Sequence, residues 1–164
     1  MFKIKLLTLL FISFLSFSCT NKIDKLPEKY SVKYIDGEEY GLLLENFLIS
    51  YLKSYGAYDP ASNLIINANI SHTENLFITN INNTSDRQKI ISTINLNIND
   101  QINDCIVYDL TNSVEQFYII ASTVNFISNN KAADEIKKSN TEELVRDFIF
   151  ELQGISLKCQ QSII

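Results

Sequence analysis

Few side chains in this chain could do covalent chemistry: 164 residues include three cysteines, one histidine and no tryptophan. Cys19 is the best placed. Lys3 and Lys5 precede an unbroken apolar and small-residue run from Leu6 to Phe17, and Ser16 and Ser18 sit just ahead of the cysteine, the layout of a secretory leader over residues 1–18. The 12-residue apolar run is short of the roughly 20 residues a helix needs to cross a bilayer, and no later segment comes near that length. The stretch Leu15-Ser16-Phe17-Ser18-Cys19 resembles the site where a bacterial leader is cut before a cysteine, whose thiol and new amino group are then acylated. Plain cleavage after Ser18 stays open as the other outcome. Each buried methylene is worth about 0.8 kcal/mol, so several acyl chains on Cys19 would hold a membrane far more firmly than one. Thr20, rather than an aspartate, follows the cysteine, a pattern that resembles sorting to the outer membrane.

His72 falls on the inward side of a strand predicted from alternation. A satisfied, partly buried histidine is expected there rather than a catalytic base, and a secreted hydrolase would need a polar cluster around it. No set of Cys, His and carboxylates has zinc spacing, and four glycines leave little material for phosphate loops or nucleophile elbows. No metal or cofactor is therefore expected, and the chain reads as non-enzymatic. With Cys19 acylated, Cys105 and Cys159 remain; an oxidising compartment permits them to pair, and the pairing is left open. The pairs Glu38-Glu39, Asp134-Glu135 and Glu142-Glu143 sit near predicted helix starts, where carboxylates favour the helix dipole. Arg87 and Lys89 are the remaining candidates, two cations at odd, outward positions on one strand. They are either ordinary edge protection or contacts for the phosphates of an anionic glycolipid, which the planar fork of arginine suits.

The elements that must position these groups can be read from periodicity. Thr20 to Glu28 is polar and contains Pro27, so residues 19–28 form the acylated cysteine and a tether, with a single domain over 29–164. Tyr30 to Ile35 reads as a short strand. Tyr40, Leu43, Leu44, Phe47, Leu48, Tyr51, Leu52 and Tyr55 then repeat at i, i+3, i+4, i+7 without a missed step, an amphipathic helix. Asp36 and Glu39 can form a capping box at its start and Gly56 stops it. Its polar face carries Glu38, Glu39, Glu45 and only Lys53, which suits packing on a sheet better than lying on a membrane.

Beyond Pro60 the period becomes two. Leu64, Ile66, Ala68, Ile70, Leu76 and Ile78 alternate with polar residues; after the knot Asn82-Asn83-Thr84-Ser85-Asp86, the alternation resumes from Ile90 through Ile102 and Ile106 to Leu110. Two long antiparallel strands that pair Ile81 with Arg87 set even positions opposite even ones. A turn at Thr111-Asn112-Ser113 then leads to a third strand over Val114 to Ser128. A last helix follows from Lys131 to Leu152, with Ala133, Ile136, Leu144, Val145 and Phe148 on one face and Gly154 after it. Asn140 and Glu143 could form a second capping box and restart it. The expected fold class is α+β: two amphipathic helices on one face of a mostly antiparallel, mixed four-stranded sheet, in the order β-α-β-β-β-α.

Lys3 and Lys5 leave with the leader, so the mature chain sets 12 basic against 19 acidic residues, a net charge of −7. That balance argues against a nucleic-acid partner.

The leader with Cys19, the strand and helix over Tyr30 to Tyr55, the arginine-led alternation from Arg87, the hairpin at Tyr108-Asp109-Leu110-Thr111-Asn112-Ser113 and the final helix together resemble the LptE family of LPS-assembly lipoproteins. The resemblance covers nearly the whole mature chain. It implies a non-catalytic lipoprotein at the outer membrane, facing the periplasm. There it would plug and support the lipopolysaccharide-assembly β-barrel, an LptD-type partner, and assist lipopolysaccharide insertion. The competing expectation is a periplasm-facing lipoprotein that serves as a protein-interaction or envelope-scaffold module.

Overall fold

The computed structural model describes residues 26–35, 38–78, 86–120 and 126–159. The leader over residues 1–18, Cys19, Asp36, Ile81, knot residues 82–85 and residues 121–125 of the expected third strand lie outside the described residues, whereas Asp86 is described. Element order is β1 (Ser31–Val32), α1 (Glu38–Ser54), β2 (Leu64–Ile78), β3 (Asp86–Asp100), β4 (Cys105–Ile119) and α2 (Phe126–Leu152). The strands form one sheet in the order β1-β2-β3-β4, with β1 parallel to β2 and the other pairs antiparallel. This is the expected α+β arrangement. We call the end with the β3–β4 turn the lower end and the opposite end the upper.

The period-two pattern puts even residues of β2 and β3 on one face, where Ile66, Ile90, Ile94, Leu96 and Ile98 are buried. Both helices lie on that face. Leu44, Leu48 and Leu52 point down from α1, and Leu144, Val145, Phe148, Ile149 and Leu152 from α2. Burying each such side chain is worth about 1.5–3 kcal/mol, so this stripe-on-sheet contact is the main stabilising term. Leu26 is already part of the same core.

Gly56 ends α1 as its position predicts. With φ +66 it turns left-handed, so its amide reaches Lys53 O at 3.0 Å and the amide of Ala57 reaches Leu52 O at 2.7 Å. These two bonds satisfy carbonyls that the helix end would otherwise leave unpaired, and buried Ala57 and Leu52 close the motif. The chain then pairs back, Tyr30 N to Ala57 O at 2.8 Å and Asp59 N to Tyr30 O at 2.9 Å, which seats β1 at the sheet edge.

Four expectations need correction. First, β1 is two residues long rather than six: Lys33 N still bonds Ile66 O, but Ile35 turns into the core and its amide donates to Glu45 Oε2 at 3.3 Å. Second, Arg87 pairs with Phe77, not Ile81. The slip keeps even opposite even, because a two-residue period specifies which face is buried but leaves the sliding distance open.

Third, Thr111-Asn112-Ser113 is not a turn but the middle of β4, and the reversal falls at residues 101–104. Asp100 makes it: its carboxylate accepts from the Ile102 amide at 2.9 Å and the Asn103 amide at 3.3 Å, while Asp104 takes φ +47. Aspartate tolerates that left-handed conformation and mimics a backbone turn with its own side chain. Ile102 and Ile106 are consequently exposed, at 74% and 43%. β4 carries a bulge opposite Ile98 and Asn99 of β3: the partners step from Tyr108 to Ile106, and the extra residue, Val107, is buried.

Fourth, residues 126–128 belong to α2, not to a strand, and α2 runs unbroken to Leu152. Aromatic and β-branched residues there suggested a strand, but β-propensity yields to context. No restart occurs at Asn140, whose side-chain amide donates from α2 to Ser92 Oγ of β3, while Thr141 Oγ1 donates back to Lys137 O at 2.7 Å.

Candidate binding surface

The second face of the sheet is polar and nearly free of charge at its centre. Asn67 Nδ2 donates to Asn97 Oδ1 at 3.0 Å, and Asn95 Nδ2 to Asn69 Oδ1 at 3.1 Å. Thr111 Oγ1 donates to Asn95 Oδ1 at 2.8 Å, and the hydroxyls of Thr93 and Ser113 meet at 2.8 Å. These rows bond sideways across three strands and stiffen the face.

At the upper end the character changes. Arg87 is exposed and stands directly across from Ile119, itself 66% exposed; Lys89 stands across from Phe117, 53% exposed. Strand pairing therefore gathers two cations and two exposed apolar groups into one patch. Lys89 is committed there, since it pairs with Glu115 and lies 5.5 Å from the centre of the Phe117 ring. Both cations point outward, as their odd positions predict, but Arg87 is the one more available to an incoming anion. Phe117 and Ile119 were not singled out in the sequence, because their strand was placed with a turn before it.

The inner face carries a different polar group. His72 sits on β2 opposite Ser92, its Nδ1 2.8 Å from Ser92 Oγ, and Asn140 Nδ2 donates to the same oxygen at 3.0 Å. Burial first, and then Lys137, lowers the His72 pKa, with Glu74 opposing. Ser92 has no exposed surface, so this Ser–His contact offers no accessible nucleophile. At the lower end Cys105 and Cys159 form a disulfide, which settles the pairing that the sequence left open. Among the described residues no group of His, Cys, Asp and Glu could hold a metal ion, and no helix is long and apolar enough to cross a membrane.

No family model matches the chain, and no curated protein matches it. Solved structures do. A minor lipoprotein from Acinetobacter baumannii superposes with a TM-score of 0.64 at 15% identity, covering 81% of this chain and 98% of that one. The chain shares its fold with bacterial lipoproteins. Rare lipoprotein B from Shewanella oneidensis gives a TM-score of 0.61 at 8% identity, over 77% of this chain and 92% of that one. Lipoprotein B from Nitrosomonas europaea gives 0.61 at 10%, over 84% and 88%. At these identities, 8–15%, what is common is the fold.

Proposed function

We propose that this protein is a non-catalytic lipoprotein, anchored through Cys19 in the outer membrane, that plugs and supports the β-barrel which assembles lipopolysaccharide and assists its insertion. The observation that carries this reading is the fold shared almost end to end with bacterial lipoproteins, in a chain whose leader ends at Cys19. The sheet's polar outer face supports it too, since the interior of a membrane β-barrel is polar and a plug must present groups that hydrogen-bond there. Arg87, beside Ile119 and Phe117, offers a cation next to apolar surface, the pairing of chemistries that a phosphate-bearing glycolipid presents. The sealed position of Ser92 supports a role without catalysis.

Depletion of the protein tests this reading. Surface lipopolysaccharide falls and a large outer-membrane β-barrel co-purifies with the tagged chain if it is right. Normal surface lipopolysaccharide, with recovery of only peptidoglycan-linked or inner-membrane partners, would replace it with the scaffold-module reading. Alanine at both Arg87 and Lys89 weakens lipopolysaccharide binding, with Arg87 the larger contributor because Lys89 is already paired; unchanged binding removes both residues from the site.

A further inference from the structure

We propose that His72 is an acid-sensitive latch that holds the upper halves of α1 and α2 on the sheet. This is independent of the role proposed above and rests on a polar junction where all three long strands and both helices meet. Ser92 Oγ accepts from Asn140 Nδ2 of α2 and shares a hydrogen bond with His72 Nδ1, so one hydroxyl ties the ring to α2. The other ring nitrogen is Nε2. That atom and Asn140 Oδ1 are both buried and lack hydrogen-bond partners among the described residues, so the junction is poised near the edge of what burial tolerates.

Every packed element contributes a group to the surroundings of His72. From α1, Tyr40 sets its ring edge against the imidazole, centroids 4.6 Å apart, and donates its hydroxyl to Asp134 of α2 at 3.0 Å, with Glu39 alongside. From α2, Lys137 lies 5.5 Å from the centre of the Tyr40 ring, 2.6 Å from Glu74 Oε1 and 3.9 Å from Asp134 Oδ1. On the sheet, Glu74 of β2 also accepts from Gln88 of β3 at 2.5 Å, and Tyr118 of β4 donates to Gln88 at 2.6 Å.

A second proton on His72 conflicts with this arrangement in two ways. Both ring nitrogens become donors, and buried Nε2 has no acceptor among the described residues. Ser92 Oγ, which already accepts from Asn140 Nδ2, must then accept from Nδ1 as well. The new cation also lies near Lys137, while the carboxylate that could balance it, Glu74, is already engaged by Lys137 and Gln88. Lifting Asn140 and Tyr40 off the sheet relieves both conflicts by admitting water and releasing Lys137. The lower halves have no such reason to move, because Leu48, Leu52, Phe148 and Leu152 are packed in the apolar core and the Cys105–Cys159 disulfide holds the chain beyond α2.

His72 is the only histidine in the chain, so its ring signals can be followed by NMR in the full protein in detergent without a variant. Titrate from pH 7.5 to 5 and measure amide exchange at each step, corrected for the intrinsic pH dependence of exchange. Protection of α1 residues 39–46 and α2 residues 128–140 should fall below about pH 6.5 with a slope of at most about tenfold per pH unit, that of a single proton. Amides of Ile94, Leu96 and Phe148 should keep theirs. His72→Gln should flatten the response. The latch is overturned if His72 titrates while the upper amides stay protected, if protection is lost evenly over the whole chain, or if the glutamine variant keeps the wild-type slope. Should that variant not fold, the wild-type titration decides alone.

Discussion

Removing the Cys105–Cys159 disulfide should cost about 4 kcal/mol of stability. The two residues are 54 apart in sequence, and the loop they close contains β4 and all of α2. In the chain-entropy account, tying a loop of that length removes on the order of 14 cal/mol/K from the unfolded ensemble, which is about 4 kcal/mol at 25 °C. The full amount applies only if the native state keeps its shape without the bond, and the structure gives a reason for it to do so: Leu157, two residues before Cys159, packs against the core. At a urea slope of about 2 kcal/mol/M, the unfolding midpoint should fall by about 2 M. The thermal midpoint should fall by about 15 °C. The assay is urea unfolding followed by circular dichroism, comparing the chain with and without reductant and with Cys105→Ser/Cys159→Ser, all carrying Cys19→Ser to prevent wrong pairing. A midpoint shift under about 0.5 M would refute the reasoning, since it would mean that the loop is not held open in the unfolded chain or that the tail leaves the core at little cost once the bond is gone.

Other perturbations should read out single features. Ser113→Gly would strengthen a turn if residues 111–113 formed one; in the middle of β4 it should destabilise by about 1 kcal/mol by raising backbone freedom and losing the contact with Thr93, measured by the same urea assay. Gly56→Ala meets no atom within 4 Å, so its cost should be only the left-handed backbone, about 1–2 kcal/mol. Phe148→Ala, fully buried beneath Tyr108, should cost about 3–5 kcal/mol. Burial first, and then Glu28, push the Tyr30 hydroxyl up to about 12 from 10.0. The folded state thus holds this proton more tightly, so stability is lost as pH rises from 10 towards 12, and Tyr30→Phe should lessen the slope of stability against pH in that window. An unchanged slope would remove Tyr30 from the cause.

What could be read from the sequence follows from which patterns carry redundant information. The eight apolar positions from Tyr40 to Tyr55 agree with one another and with Gly56, so α1 was legible nearly to the residue. Alternation likewise revealed the buried face of β2 and β3, because Ile66, Ile94 and Ile98 each report the same parity. Alternation is silent about sliding, hence the displaced pairing of Arg87. It is also silent about a turn whose signal is one aspartate: Ile102 and Ile106 kept the rhythm across the reversal, whereas the amides that donate to Asp100 and the antiparallel register of β3 and β4 show that the chain doubles back between them. Misplacing that reversal cut β4 short at Val114 and with it lost the register that sets Phe117 beside Lys89 and Ile119 beside Arg87. Asn140 was misread because its type suits a helix start; its actual partner, Ser92, is 48 residues away, and local pattern does not encode such a contact.

The sheet's length has a mechanical consequence. From Leu64 beside Asp100 to Phe77 beside Arg87 is 13 residues, about 43 Å at 3.3 Å each. Pro27 and Glu28 enter at the lower end, sharing a cleft with Asp100, Ile102 and Leu157. The seven steps from Cys19 to Leu26 reach at most about 25 Å when extended. A membrane holding Cys19 and a ligand meeting Arg87 would therefore be kept apart by a stiff ruler, whose graduations are strand residues. Adding two residues to each of β2, β3 and β4 would move the basic tip by about 7 Å while leaving the chemistry of both ends untouched.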